Sequence, residues 1–166
     1  MKKIILFILL IIIAGCAREV NMMKLTSPDF KNNQKIPEKF TCKGNNFNPG
    51  LEIENIPVKA KSLVLIMDDP DAPRGTWVHW IVWNIPITEK IYENSVPGGS
   101  MQGTNSANQT NYIGPCPPSG THRYFFKLYA LDTTLNLPKT STKAGLEQAM
   151  QPHVIEKAEL IGLFSK

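Results

Sequence analysis

Two segments of the chain concentrate ionisable and polar side chains of the kinds that could form a binding pocket. The first, residues 69–73, reads Asp-Pro-Asp-Ala-Pro and is followed by Trp-Val-His-Trp at residues 77–80. The second, residues 112–124, reads Tyr-Ile-Gly-Pro-Cys-Pro-Pro-Ser-Gly-Thr-His-Arg-Tyr. Carboxylates, imidazoles and phenols of this kind can bind an anion, exchange protons or hold an ammonium group.

Strand periodicity and proline stiffness determine where these side chains point. Alternation along a strand places Trp77 and His79 on one face, and it places His122 and Tyr124 on one face with Arg123 on the other. Prolines flank the second Asp of the first segment, and three more lie in residues 114–120, so both loops are stiff. If the two segments meet, they form a preorganised polar pocket.

The same residues also allow structural interpretations. A single His in an apolar strand is more often a hydrogen-bonded core residue than a ligand, and an Asp before a turn commonly caps that turn. Arg123 could form a structural ion pair with Asp69 or Asp71. His79, His122 and Asp69 could in principle bind zinc, but no close ligand spacing supports a metal site.

Short apolar strands carry the two segments. Residues 62–67, 77–85 and 122–131 are rich in β-branched and aromatic residues and predict strands, and residues 158–164 predict a last strand. Thr142 to Gln151 predicts one short helix, with Leu146, Ala149 and Met150 on its apolar face and Ser141 or Thr142 as its N-cap. Strands in series with one late helix predict a mainly β protein, a sandwich.

Composition indicates one globular domain and argues against nucleic-acid binding. The 166 residues are 42% hydrophobic and 19% charged, which is ordinary for a folded domain. The 18 basic residues exceed the 14 acidic residues by four, and two of them, Lys2 and Lys3, lie in a segment that we expect to be removed. The remaining excess is too small to attract a polyanion.

Residues 1–15 have the pattern of a secretory signal. Two lysines precede an apolar run over residues 4–13, which as a helix would rise only about 15 Å, half of a bilayer core. A membrane span is therefore not expected, and a buried helix is disfavoured because the run has no polar face.

The signal ends in Ile-Ala-Gly-Cys, which resembles the bacterial lipobox. The resemblance implies cleavage before Cys16 and acylation of that cysteine. We therefore expect a bacterial envelope protein that faces the periplasm or the exterior. A lipid on Cys16 would join it to the membrane, with a tether over residues 16–24 and one domain over residues 25–166.

The chain has three cysteines, Cys16, Cys42 and Cys116. If the first is acylated, two remain in an oxidising compartment, where they either form a disulfide or stay as separate thiols. A free Cys116 beside His and Asp would be a candidate nucleophile or redox site. Of these two roles for Cys116, we favour the disulfide.

The two polar segments resemble the signature regions of the phosphatidylethanolamine-binding protein family, especially its bacterial, Raf-kinase-inhibitor-like branch. The resemblance rests on Asp-Pro-Asp-Ala-Pro, Trp-x-His, Gly-Pro-x-Pro-Pro-x-Gly and His-Arg-Tyr, and weaker likeness extends over residues 41–162. It implies an antiparallel β-sandwich with a few short helices. We expect no cofactor, and the resemblance is compatible with a homodimer because bacterial members are often dimers.

The resemblance further implies a small cavity for phosphate-like or carboxylate anions. It assigns eight residues to that cavity: Asp69, Asp71, His79, His122 and Tyr124, with Tyr112, Gly114 and Cys116 on the wall. We expect His79 and Tyr124 to donate hydrogen bonds to the ligand and His122 to line the opposite wall. The two carboxylates would orient an imidazole or hold an ammonium group, so a zwitterion such as phosphoethanolamine would also fit.

Three functions are compatible with this pattern. The preferred one is an envelope-anchored module that binds a small anionic or zwitterionic ligand. A regulator that inhibits a kinase or protease by protein–protein contact is the first alternative. A hydrolase of small esters is the second, although the sequence has neither Gly-x-Ser-x-Gly nor His-Glu-x-x-His.

Overall fold

A computed structural model describes residues 21–166, which form two β-sheets packed face to face. The predicted signal peptide and the predicted lipidation site Cys16 lie outside the described residues. No helix within residues 21–166 has both the length and the apolar character needed to cross a bilayer.

Nine strands and one α-helix make up the described part of the chain. In chain order the strands are β1 (Lys24–Thr26), β2 (Gln34–Lys35), β3 (Leu51–Glu54), β4 (Ser62–Asp69), β5 (Trp77–Ile85), β6 (Lys90–Ile91), β7 (Met101–Gln102), β8 (Thr121–Leu131) and β9 (Val154–Ser165). The helix α1 spans Lys143–Met150, and two 3-10 turns span Glu38–Phe40 and Gln151–His153.

The smaller sheet has the order β1-β3-β6 and the larger has the order β2-β9-β8-β4-β5-β7. Every pairing is antiparallel except that of β2 with β9. The prediction of a mainly β, largely antiparallel sandwich with a few short helices is therefore confirmed.

Strand β4 is the centre of the larger sheet, and all eight of its residues are buried. The reason is that both faces of the larger sheet are covered. One face packs on the smaller sheet through Leu63, Leu65 and Met67, and the other contributes Val64 and Ile66 to a second core. A strand that is covered on both faces has a continuous apolar sequence, as residues 63–67 show.

The second core lies beneath α1 and the loop before it. Leu146 and Met150 of the helix pack there with Trp83 and Leu135. The predicted apolar face of α1 is confirmed, with Ala149 at its margin. Of the two predicted N-cap candidates, Thr142 occupies the position, although its side chain makes no capping hydrogen bond.

The strands differ from the sequence prediction mainly at their ends. β4 continues two residues beyond Met67, and β9 begins at Val154 rather than at residue 158. The five strands of two to four residues were not predicted, because such segments are too short to show a period.

A buried ion cluster ties α1 to the larger sheet. The fully buried carboxylate of Asp68 accepts hydrogen bonds from Lys127 of β8 at 2.9 Å and from Lys143 of α1 at 2.5 Å. A buried carboxylate requires such partners, since an unpaired charge in the interior is costly.

Replacing Asp68 with Asn should loosen α1, because the amide cannot bind two ammonium groups as strongly as the carboxylate does. We expect the free energy of unfolding to fall by about 2 kcal/mol, measured by urea denaturation. Asp132→Asn is the matched control, since that carboxylate is exposed and pairs with His153 at the surface. Equal stability of D68N and the wild type would contradict the anchoring role.

Candidate functional site

The antiparallel pairing of β4 with β5 and β8 brings the two polar segments together. Asp69, at the end of β4, pairs with Trp77 at the start of β5. Asp68 pairs with Phe125, so Asp69 lies opposite Tyr124 of β8 in the antiparallel register. The end of β4 and the starts of β5 and β8 therefore meet at one end of the larger sheet.

A cavity of about 250 Å³ opens at this end. Both imidazoles, of His79 and His122, lie on its lining, although 43 residues separate them in the sequence. The lining residues are Asp69, Ala72, Pro73, Trp77, His79, Ile113, Gly114, Cys116, Pro117, Pro118, His122 and Tyr124. The cavity thus has polar groups from four side chains and a largely apolar rim.

Asp69 and His122 form a buried carboxylate–imidazole pair. Oδ2 of Asp69 lies 2.7 Å from Nδ1 of His122, and both side chains are almost completely buried. Oδ1 of Asp69 accepts the backbone N–H of Asp71 at 2.8 Å. The carboxylate therefore fixes a proton on Nδ1 of His122 and leaves Nε2 for a ligand.

His79 is fixed in a similar way by a backbone carbonyl. Its Nδ1 lies 2.7 Å from the oxygen of Ile113, so Nδ1–H donates to that oxygen. Burial lowers the pKa of His79, an effect that the Ile113 carbonyl and the charge of Asp69 only partly oppose.

The expected donor role of His79 therefore requires a second proton on its ring. A neutral ring whose Nδ1 carries the proton has an unprotonated Nε2, and this atom accepts a hydrogen bond rather than donating one. Nε2 can donate only when the ring takes up a second proton, which its lowered pKa opposes.

Tyr124 supplies a donor beside the two rings. Its ring packs edge-on against His79, with 5.2 Å between the ring centroids. The hydroxyl is buried, and no acceptor within residues 21–166 takes its proton. Burial and the nearby charge of Asp69 raise the pKa of Tyr124, so the hydroxyl stays protonated at neutral pH.

Asp71 does not line the cavity, contrary to the sequence prediction. Its carboxylate points to Arg123, accepting the backbone N–H and Nε–H at 2.9 Å and an Nη2–H at 2.7 Å. These bonds lower the pKa of Asp71 to about 2. The structural alternative, an ion pair with Arg123, is what the structure contains, because the backbone alternation of β8 turns Arg123 away from the cavity.

The three predicted wall residues are placed differently from one another. Gly114 and Cys116 line the cavity, whereas Tyr112 lies behind it and donates its hydroxyl to the oxygen of Phe40 at 2.9 Å. The ring of Tyr112 is instead part of the core and packs edge-on against Trp80. Tyr112 therefore supports the wall without facing a ligand.

Gly114 is held where a larger residue would collide. Its N–H donates to Oδ1 of Asn46 at 2.7 Å. A Cβ at this position would lie only 2.3 Å from the oxygen of Phe40. The wall loop therefore rests directly on the segment that contains residues 40–46.

A disulfide fastens the same two segments. Cys42 and Cys116 are bonded, with their Cα atoms 5.5 Å apart, and the N–H of Cys42 donates to the oxygen of Pro115. A cysteine in a disulfide is not a free thiol, so the nucleophile alternative for Cys116 does not apply to this structure.

The residues that sequence reasoning missed lie within the motifs it identified. Ile113 orients His79 through its backbone oxygen, which no side-chain pattern reveals. Trp77, Pro73, Pro117 and Pro118 form the apolar rim, although the sequence indicates only strand and stiffening roles for them. Among residues 21–166, no group of three or more His, Cys, Asp or Glu side chains is arranged to hold a metal ion.

Replacing both cysteines of the disulfide with Ser should destabilise the protein by about 4 kcal/mol, because the bond closes a loop of 74 residues in the unfolded chain. Guanidinium denaturation of the oxidised wild type and the double variant measures this difference. The reduced wild type is the control and should match the variant. A difference below 1 kcal/mol would contradict the proposed contribution of the disulfide.

Comparisons with known proteins show the family to which this fold belongs. A family model for phosphatidylethanolamine-binding protein matches residues 26–165. The UPF0098 protein of Methanothermobacter thermautotrophicus is 46% identical over 150 residues, covering 87% of this chain and 99% of the relative. The UPF0098 protein of Pyrococcus horikoshii is also 46% identical, covering 98% of this chain and 88% of the relative.

Two solved structures share the fold. A phosphatidylethanolamine-binding protein homologue of Chlamydia trachomatis has a TM-score of 0.85 at 41% identity, covering 88% of this chain and 99% of its own. Escherichia coli YbcL, described as a member of the mammalian phosphatidylethanolamine-binding protein family, has a TM-score of 0.83 at 28% identity with the same coverage. The chain belongs to the phosphatidylethanolamine-binding protein family.

Proposed function

We propose that the protein binds a small anionic or zwitterionic molecule in the cavity beside His79 and His122. One observation carries the proposal: two buried imidazoles lie on one cavity, and each has its Nδ1 already engaged by a protein acceptor. Fixing both rings by Nδ1 leaves both Nε2 atoms for a ligand.

The hydrogen-bonding groups favour a ligand that both accepts and donates. At neutral pH, Tyr124 offers a donor and His79 an acceptor, while His122 donates from Nε2 when it is protonated beside Asp69. The phosphate of a phosphoethanolamine-like ligand would accept from Tyr124 and His122. Its ammonium group would donate to His79 or to Asp69.

The apolar rim supports a ligand with a nonpolar portion beside its charged group. Trp77, 41% exposed, lies at the cavity with Pro73, Pro117 and Pro118. An aromatic ring and prolines can cover an alkyl or aromatic group while the polar end reaches the imidazoles. A phosphate monoester or diester with a short organic group would fit both the imidazoles and the apolar rim.

We further propose that the protein is lipid-anchored in a bacterial envelope through Cys16. The lipobox-like sequence before Cys16 supports this location. The Cys42–Cys116 disulfide supports it independently, because such bonds persist in oxidising compartments outside the cytosol.

Replacing His79 with Ala should weaken binding of glycerophosphoethanolamine at least tenfold, because it removes one of the two fixed imidazoles, measured by isothermal titration calorimetry. His153→Ala is the matched control, since the third imidazole of the chain pairs with Asp132 outside the cavity. Equal affinity of H79A and wild type would contradict the assignment. Turnover of phosphate or carboxylic esters by the wild type would replace binding with hydrolysis as the function.

Binding of dimethyl phosphate should strengthen as pH falls from about 8 to 5, by up to tenfold per pH unit for each proton taken up. This anion keeps one negative charge and has no proton to donate over that range. It can therefore form a hydrogen bond with Nε2 of His79 only after that nitrogen is protonated. Glycerophosphoethanolamine should show a shallower dependence, since its ammonium group can donate to that atom. Identical pH dependences of the two ligands would contradict this account.

A further inference from the structure

The two ends of the larger sheet are far apart and differ in character. The pocket end, defined by Asp69, Trp77 and His122, contains the cavity. At the other end, Ser62 of β4 pairs with Leu131 of β8. We call this the tether end, because the described chain begins there.

Two hydrogen bonds place the first described residues at the tether end. The oxygen of Met22 accepts from Nδ2 of Asn55 at 3.2 Å, just after β3. The N–H of Met23 donates to Oε1 of Glu156 at 2.6 Å. Glu156 pairs in register with Ala130, next to Leu131. The polypeptide therefore enters the sandwich at the end opposite the cavity.

Distance separates the cavity from any anchor attached to this end. From His122 to Ala130 there are eight residues of one strand, or about 26 Å. Cys16 precedes Asn21 by five residues, which span at most about 17 Å even when fully extended. An acyl chain on Cys16 therefore cannot reach a bilayer against which the pocket end is pressed.

Exposed apolar side chains favour contact between the tether end and the bilayer. Val58 is fully exposed and Met22 is 74% exposed. Val58 lies on the turn that leads into β4, and Ile87 follows the end of β5, where Ile85 pairs with Leu63. Val154 and Ile155, at the start of β9, are also exposed at this end.

The turn that carries Val58 also offers positive charge. Lys59 and Lys61 are exposed beside it. Apolar side chains that enter the interface, flanked by lysines that meet anionic head groups, are typical of surfaces that rest on membranes. The other large exposed apolar side chains are not at the tether end: Trp77 lies in the cavity rim, and Tyr92 and Val96 follow β6, which runs away from that end.

We propose that the tether end rests on the bilayer and that the cavity faces the aqueous compartment. The ligand then reaches the cavity from solution, as a water-soluble phosphate ester or carboxylate, and not as the head group of a lipid in the same bilayer. This inference rests on the proposed lipid anchor at Cys16.

Site-specific fluorescence quenching in vesicles tests the orientation. The full chain is produced with its signal in a bacterium, purified in detergent and placed in vesicles of phosphatidylethanolamine and phosphatidylglycerol. Val58→Cys and Thr76→Cys each introduce a thiol for the same fluorophore, the first at the tether end and the second next to Trp77. Both positions are exposed, so neither change should disturb folding. Nitroxide-labelled lipids serve as the quencher.

Quenching at position 58 should be at least threefold stronger than at position 76. Equal quenching, or stronger quenching at position 76, would overturn the orientation while leaving the anchor intact if the protein floats with the vesicles. The Cys16→Ser control should not float with the vesicles. If the wild type does not float either, both the anchor and the orientation are wrong. Calorimetry in detergent measures ligand binding to the cavity separately. A loss of ligand binding can therefore be distinguished from a wrong orientation and from a missing anchor.

Discussion

The carboxylate of Asp69 is the group on which the site depends. It is the last residue of a completely buried strand and remains only 3% exposed, so both of its oxygens need partners. One oxygen fixes the imidazole of His122, and the other accepts the N–H of Asp71 and shapes the turn after the strand. The same side chain thus orients the imidazole of His122 and shapes the turn from which Asp71 points outward to Arg123.

Neighbouring acids acquire different roles because a strand alternates its side chains between two faces. Asp68 faces the second core and binds the lysines that hold α1. Asp69 faces the cavity, and Asp71, beyond the strand, forms an ion pair at the surface. The three carboxylates therefore hold the helix α1, the imidazole of His122 and the guanidinium of Arg123, in that order. Inserting one residue into β4 between Asp68 and Asp69 would turn Asp69 to the face that Asp68 occupies.

The sequence predicts the strands that have a clear pattern of apolar residues. It does not predict the contacts that depend on tertiary packing or on a backbone carbonyl. The apolar runs of β4, β5 and β8 were sufficient to predict the strands that carry the site. The motif residues Asp69, His79, His122 and Tyr124 do meet on one cavity. Asp71 and Tyr112 do not: Asp71 forms the ion pair with Arg123 that the sequence allowed as an alternative, and Tyr112 bonds to the Phe40 oxygen, a partner that depends on tertiary packing. The acceptor state of His79 is set by the Ile113 carbonyl, which carries no signal in residue type.

In the proposed site, protein acceptors fix both cavity imidazoles through Nδ1 and leave both Nε2 atoms to the ligand. Nitrogen-15 NMR of the histidine rings measures the protonation of each of these nitrogens. At pH 7.5 we expect Nε2 of His79 to be unprotonated, and we expect added phosphate to shift the Nε2 signals of His79 and His122 together while His153 stays unchanged. A proton on Nε2 rather than Nδ1 of His79, or phosphate-insensitive signals from both cavity rings, would contradict this arrangement.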